Sequence, residues 1–324
     1  MADYVVSTWE KFLEYNSSGN NIKFANPHEV NGEIILNGTG TQADPFIVST
    51  YEEMLSATGA LYIHQVKLID REAKKYKYGD VYCLYDDSLT TIDFNNEQSM
   101  PSGGYTSSLD IVAQVDFNGW TLFNMAVNGA GIDFQSGTCK NVRLLNFLVN
   151  SYHSNAILHF NYGAINSIID MVVTNNTSYT LPLFNTNQSE SQSIRQSSLN
   201  IKTTVNSGSV ELRGMLTDSI INFDVQSNIN MDACDFTRTL FTGKISTQSS
   251  GLFTWGDDVY NSIFDVTCSN GQPAKSSWVL SSSFFNKEKC SETNMTADNL
   301  YGATTAQLKQ AQWLYDRGFP IGVD

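Results

Sequence analysis

Basic side chains are scarce in this chain, with 19 Lys and Arg against 33 Asp and Glu and a formal net charge of −14. A nucleic-acid binder displaces counterions from phosphates with a basic footprint, and none is visible, so nucleic acid is not an expected partner. The same excess of acid would repel an anionic membrane surface. No apolar run approaches the ~18–20 residues of a membrane span, and no membrane insertion is expected. The opening Met1-Ala-Asp-Tyr-Val-Val lacks a basic segment followed by an apolar stretch, so synthesis without a secretory signal is expected. Proline is rare at 6 residues, whereas Tyr (15), Phe (18) and Trp (5) are abundant, which excludes a disordered chain.

Motifs for metal and nucleophile chemistry are missing too. The five cysteines, Cys83, Cys139, Cys234, Cys268 and Cys290, are scattered without a C-x-x-C pair. That is neither a disulfide framework nor a zinc site, and buried, reduced thiols are expected. His28, His64, His153 and His159 show no HExxH spacing, and His153 and His159 are expected to be structural. No G-x-S-x-G elbow is present. No cofactor and no metal are expected.

What replaces the missing charge is short polar side chains: 31 Asn, 35 Ser and 27 Thr. Their cause lies in a repeat. With alternate residues taken as inward-facing, the sets Val142/Leu144/Asn146/Leu148, Ser167/Ile169/Met171/Val173 and Ser197/Leu199/Ile201/Thr203 match one another. Ser219/Ile221/Phe223/Val225 and Ser262/Phe264/Val266/Cys268 continue the series. Thr239/Phe241/Gly243/Ile245 fills its one long gap, and a weaker set starts at Ser283 with Phe285. A strand recurring every 22–25 residues is too short a unit for helix pairs or propeller blades. It suits one coil of a parallel β-solenoid whose rungs stack at ~4.8 Å. Segments such as Ala156–Phe160, Leu181–Phe184 and Val210–Arg213 supply a second strand per coil. Every coil needs tight corners, where Asn, Asp, Ser and Gly tolerate left-handed backbone.

The ends read differently. Val5–Leu13 aligns without gaps on Ile47–Leu55, each a strand followed by an amphipathic helix. Ser7/Glu10 and Ser49/Glu52 are the expected capping boxes. Thr304–Arg317 reads as a closing helix, capped by Thr304 or Thr305 and ended by Gly318. The expected division is 1–114 for an N-terminal capping and attachment region, 115–290 for the solenoid, and 291–324 for a C-terminal helix and tail.

Several stretches resemble a known family. Asn37-Gly-Thr-Gly-Thr-Gln-Ala-Asp-Pro-Phe46, continued to Met54, resembles a motif leading into right-handed parallel β-helices of bacterial surface and phage proteins. Val115-Asp-Phe-Asn-Gly-Trp-Thr-Leu122 looks like the first coil of pectate-lyase-like folds, and Lys140–Asn146 like the next. The closing Gln307–Val323 is similar to tails of phage virion fibres and spikes. The resemblance implies an all-β, right-handed parallel β-helix with short capping helices at both ends. It implies a virion location, other virion proteins as partners, and a homo-oligomer, commonly a trimer in such fibres.

Activity is less legible. Outward positions Asp170, Asn200, Lys202, Asn222, Asp224 and Asp265 form a polar ladder with spaced carboxylates. Glu211 and Arg213 sit on a neighbouring strand, and Trp255 with Asp257 and Asp258 follows. Glu211, Arg213, Asp224 and Asp265, with Trp255, Asp257 and Asp258, are the candidate glycan-binding residues; no catalytic residue is named. The expected role is a structural or adhesive virion component, in contact with the particle or with host surface polysaccharide. A depolymerase, lyase or glycoside hydrolase, on the same scaffold is the alternative, and a bacterial surface adhesin the third.

Overall fold

A computed structural model describes residues 2–61, 65–70, 72–86, 90–94, 109–127, 131–149, 157–174, 180–186, 192–203, 209–226, 228–246, 258–268, 279–289 and 300–310. Among these, two long sheets dominate, and within both every strand pair is parallel. The second sheet, of eleven strands, contains the recurring sets. Its strands Ile168–Val173, Ser198–Thr203, Ile220–Val225, Leu240–Ile245 and Ile263–Cys268 pair in that order, each with the strand one repeat later. This is the arrangement of a β-solenoid.

The first sheet holds fourteen strands in two columns. One column runs through Leu109–Ile111, Ile132–Phe134, Leu158–Phe160 and Thr180–Thr186, and the other through Cys139–Lys140, Ala164–Ile165 and Ile194–Arg195. They merge where the longer strand Ser209–Thr217 pairs with both. A full coil therefore carries three strands, one more than the minimum of two read from the sequence. Ala2–Val6 and Asn20–Phe24 also belong to this sheet, with Asn20–Phe24 pairing with Gln114–Asp116.

The inward sets fill the core. Ile169, Met171, Val173, Leu199, Ile201, Ile221, Phe223, Phe241 and Phe264 are all buried. Asn146 and Leu148 depart from expectation. Asn146 takes a left-handed φ of 51°, and the pairing slips there by one residue. The bulge turns Phe147 and Val149 inward instead, both fully buried. Asn124, with φ 56°, sits on the coil before, and the Asn146 side-chain amide donates to Asn124 Oδ1 at 2.6 Å.

One corner recurs in every coil. Asn118, Asn141, Asn166, Gln196, Asp218, Arg238, Asn261 and Ser282 all have φ between 48° and 54°. Asn and Asp suit that region; Gln and Arg do not. Arg238 is held there by two bonds to Asp218 on the preceding coil, at 2.5 and 2.9 Å. Immediately after each corner from Asn166 onward comes a buried hydroxyl: Ser167, Ser197, Ser219, Thr239, Ser262 and Ser283. Ser197 Oγ accepts the Ser167 N–H at 3.0 Å, and Ser219 Oγ accepts that of Ser197 at 3.2 Å. The same contact joins Thr239 to Ser262 and Ser262 to Ser283. The hydroxyls of 167, 197, 219, 239 and 262 donate to the carbonyl two residues earlier. Ser197→Ala removes an acceptor from a buried N–H, and a loss of about 1–3 kcal/mol is expected in urea unfolding.

The N-terminal helices start one residue later than expected. Thr8, not Ser7, caps Trp9–Tyr15, its hydroxyl accepting from Lys11 N–H. Thr50, not Ser49, caps Tyr51–Thr58, accepting from Glu53 N–H at 2.9 Å. Trp9 and Phe12 are buried, Phe12 against Phe24 and Phe117. At the other end a single turn, Thr305–Leu308, begins with a reciprocal Thr304/Gln307 capping box and ends at the C-cap Lys309, so the expected helix over Thr304–Arg317 does not run on unbroken; residues 311–317 lie outside the described residues.

A two-stranded antiparallel hairpin, Glu29–Val30 with Glu33–Ile34, and a small sheet, Phe46–Val48, Val81–Tyr85, Lys75–Tyr78 and Lys67–Asp70, complete the described structure. Its core residues Val48, Met54, Cys83 and Tyr85 cluster with Ile168, Leu145 and Ile220 of the second sheet. Gly119 marks one point of contact. Its φ is 85°, and a Cβ there would lie 1.9 Å from the Ser49 carbonyl oxygen, so the turn after Phe117 requires glycine.

Candidate functional site

Strand alternation sends every second residue of the second sheet outward, and parallel in-register pairing lines those residues up across the coils. The first outward column runs Arg143, Ile168, Ser198, Ile220, Leu240. The next runs Asp170, Asn200, Asn222, Thr242, Asp265, and a third runs Val172, Lys202, Asp224, Lys244, Thr267. A column of Ile168, Ile220 and Leu240, interrupted by Arg143 and Ser198, thus lies beside a polar one.

The hairpin of the small sheet stands over this face and turns it into a groove of ≈ 420 Å³, with Val66, Leu68, Lys74 and Tyr76 as its wall. The floor extends from Arg143 to Leu240, about 19 Å at the usual rung spacing. A second depression of ≈ 320 Å³ shares Asp170, Asn200 and Asn222 with the first and reaches Lys202 and Asp224. The polar column is internally tied: the Asn200 amide donates to Asp170, and Thr242 Oγ1 donates to Asn222 Oδ1 at 2.9 Å. Arg143 is 4 % exposed, its guanidinium 3.7 Å over the Tyr85 ring.

The sequence-derived residues divide. Asp224 is exposed on the groove face. Asp265 shares Asp170's column, held by the Asn286 amide at 2.6 Å and Lys289 at 2.8 Å. Glu211 and Arg213 lie on the first sheet instead, paired with each other at 2.8 Å, with Glu211 buried. Asp258 is on that sheet as well, accepting from the Tyr260 hydroxyl at 2.8 Å. Trp255 and Asp257 lie outside the described residues. The structure therefore gathers Asp224 and the polar ladder, and separates them from Glu211, Arg213 and Asp258. The wall residues were missed. Their signal was Lys74-Lys-Tyr-Lys-Tyr78, a dense basic and aromatic run in an acidic chain.

Asp170 and Asp224 stand two strands and two residues apart, about 12 Å by backbone position. Glycosidase carboxyl pairs lie within about 5–10 Å of each other.

A Ser–His–acid cluster lies beneath the small sheet. Ser49 Oγ and Glu53 Oε2 both approach His28 Nδ1, at 3.2 and 3.1 Å. A hydrolytic triad needs the acid and the serine on opposite ring nitrogens, so this cluster is a structural one. Glu53 also accepts from the Ser49 N–H at 2.7 Å and from the Asn26 amide. Burial pushes its carboxyl up, but these bonds outweigh burial and leave its pKa below the usual value. On the first sheet His159 Nδ1 lies 3.3 Å from Asp133.

Burial raises the thiol of Cys83 to about 11, and burial with the nearby Asp116 raises that of Cys139 well above its ordinary value, so both remain protonated at neutral pH. Among the described residues, no group of three or more His, Cys, Asp and Glu is placed to hold a metal ion. No family model, curated protein or solved structure matches this chain.

Proposed function

We propose that the chain is a structural and adhesive component of a bacteriophage virion, a fibre, spike or capsid-associated appendage, whose second sheet attaches to surface glycan. The groove carries this reading. Sugars in an extended chain present apolar ring faces flanked by hydroxyls, and the floor offers Leu145, Ile168, Ile220 and Leu240 beside a ladder of amides, hydroxyl and carboxylate. Repetition at one rung lets a polymer of repeating units make the same contact several times, so weak contacts add. The virion assignment is supported by the resemblance of Asn37–Met54, Val115–Leu122 and Gln307–Val323.

In this reading the solenoid winds right-handed, the hand taken by nearly all parallel β connections. The helix at Trp9–Tyr15 closes its first coil, with Phe12 on Phe24 and Phe117. The chain assembles as a homo-oligomer, a trimer in the fibre case, with its N-terminal region meeting other virion proteins.

The test is equilibrium binding of the purified protein to host capsular polysaccharide, with reducing and unsaturated ends assayed in parallel. Saturable binding without end release is expected, and Asn200→Ala with Asn222→Ala is expected to weaken it about tenfold, the equivalent of one to two hydrogen bonds. Absence of binding by folded protein would sink the glycan reading. Release of new chain ends would replace it with a depolymerase.

A further inference from the structure

Two short stretches away from the groove floor leave aliphatic side chains in water, and they carry opposite charge. Residues 30–35 are exposed throughout, with Val30, Ile34 and Ile35 each about half exposed. They form the tip of the hairpin that pairs Glu29–Val30 with Glu33–Ile34, and its turn residues Asn31 and Gly32 both have positive φ, which suits the twist of paired strands. Lys67–Asp70 is exposed along its whole length, Leu68 and Ile69 included, and is an edge strand of the small sheet. Those five aliphatic side chains are half of the large hydrophobics exposed among the described residues, so the apolar exposure is concentrated rather than scattered. From 29 to 36 the sequence carries two Glu and no basic residue, a net charge of −2. From 67 to 78 it carries five Lys and Arg against two Asp and Glu, a net charge of +3 in a chain of −14. Glu33 and Lys67 have no ion-pair partner among the described residues. Lys67 stands directly across from Lys77, a like-charge pair that costs stability. Lys77 is itself engaged, 4.8 Å over the Tyr82 ring and 4.0 Å from Asp80.

We propose that the hairpin tip at 30–35 of one copy of this chain docks on the Lys67–Asp70 edge of a second copy, with Glu33 meeting Lys67 and aliphatic side chains meeting each other. The inference rests on the homo-oligomer reading above and names its surfaces. An open sheet edge offers unpaired backbone groups to an incoming strand, and the hairpin brings strands already formed. Charge selects the pairing. Two basic edges set together, or two acidic hairpins, add like charge to like, whereas the crossed contact joins −2 to +3. Each copy then gives one surface and receives the other, a head-to-tail contact that generates a ring where the rotation closes. Leu68 also lines the groove, so in the assembly that wall stands at a boundary between copies.

Size-exclusion chromatography with light scattering, run on the full chain across a dilution series, tests this. Wild type is expected to form one discrete oligomer. Glu33→Lys and Lys67→Glu, both at exposed positions, are each expected to weaken assembly about tenfold or more with Tm of the monomer unchanged. The double variant Glu33→Lys with Lys67→Glu restores opposite charge at every contact, and is expected to recover wild-type assembly. A wild type that stays monomeric at every concentration removes the oligomer reading and this inference together. An oligomer untouched by Glu33→Lys overturns the inference alone, and sensitivity to Lys67→Glu only would replace it with two edges meeting. Failure of the double variant to recover assembly overturns it as well.

Discussion

Phe241→Ala is expected to lower the unfolding free energy by about 3–5 kcal/mol, the range for deleting a fully buried aromatic side chain. Phe241 is fully buried and stacks on Phe264 of the next coil at 4.7 Å with the rings 6° from parallel. Phe236 meets it edge-on at 5.0 Å. The cavity has little chance to collapse, because Phe241 is locked in register between Ile221 and Phe264 by backbone ladders on both sides. Urea unfolding followed by far-UV circular dichroism measures the loss. Thr242→Ala, one residue on and pointing outward, is the control, and a change below about 1 kcal/mol is expected there. Equal effects at the two positions would mean that the alternation does not separate core from surface.

Glu53→Ala is expected to cost about 3 kcal/mol, because it strips partners from buried donors as well as removing a charge. Its carboxylate gathers the Ser49 N–H, the Asn26 amide and His28 Nδ1. Asn26 reaches Asn118 at 3.3 Å, and the Asn118 amide donates to the Phe24 carbonyl at 2.9 Å. The network thus ties the helix of the small sheet to the first coils. Faster hydrogen exchange across Val81–Tyr85 is the expected local readout. Acid dependence follows from the lowered carboxyl pKa. The stabilisation is complete above the unfolded value of about 4.3 and is lost as pH falls through the folded one. Wild type and Glu53→Gln should therefore differ most at neutral pH and converge as pH falls below the ordinary glutamate value and through the lowered folded one. A gap that stays constant with pH would show that the ionised form is not what matters.

The solenoid was legible because its signal repeats. Ser167, Ser197, Ser219, Ser262 and Ser283 announced the register together, and Thr239 supplied the missing rung. The bulge at Asn146 was not legible, since nothing in Arg-Leu-Leu-Asn-Phe-Leu-Val announces that one asparagine adopts a positive φ. The helix caps slipped by one residue because adjacent Ser and Thr are equally able acceptors, and tertiary packing selected Thr8 and Thr50. The outward ladder was readable as a column. Its wall was not, because the hairpin at Lys67–Tyr78 is brought over Asp170 and Asn200 by a contact spanning about a hundred residues. Periodicity carries no information about such a contact.

The corner column fixes where this molecule can change length. From Asn141 to Asn261 the left-handed residue precedes its second-sheet strand by two positions in each coil. The other side of the coil varies in length: nine residues separate Val225 from Asp235, and twelve separate Ile245 from Asp258, the register equivalent of Asp235. Length varies there and between the two columns of the first sheet, where three residues separate Phe160 from Ala164 and seven separate Thr186 from Ile194, while the corner from Asn141 to Asn261 keeps time for the whole stack. Duplication of one unit of about twenty residues would then lengthen the solenoid by about 4.8 Å without disturbing either neighbour. The fold is in that sense a ruler with one graduated side, and reach can evolve there independently of what the other faces recognise.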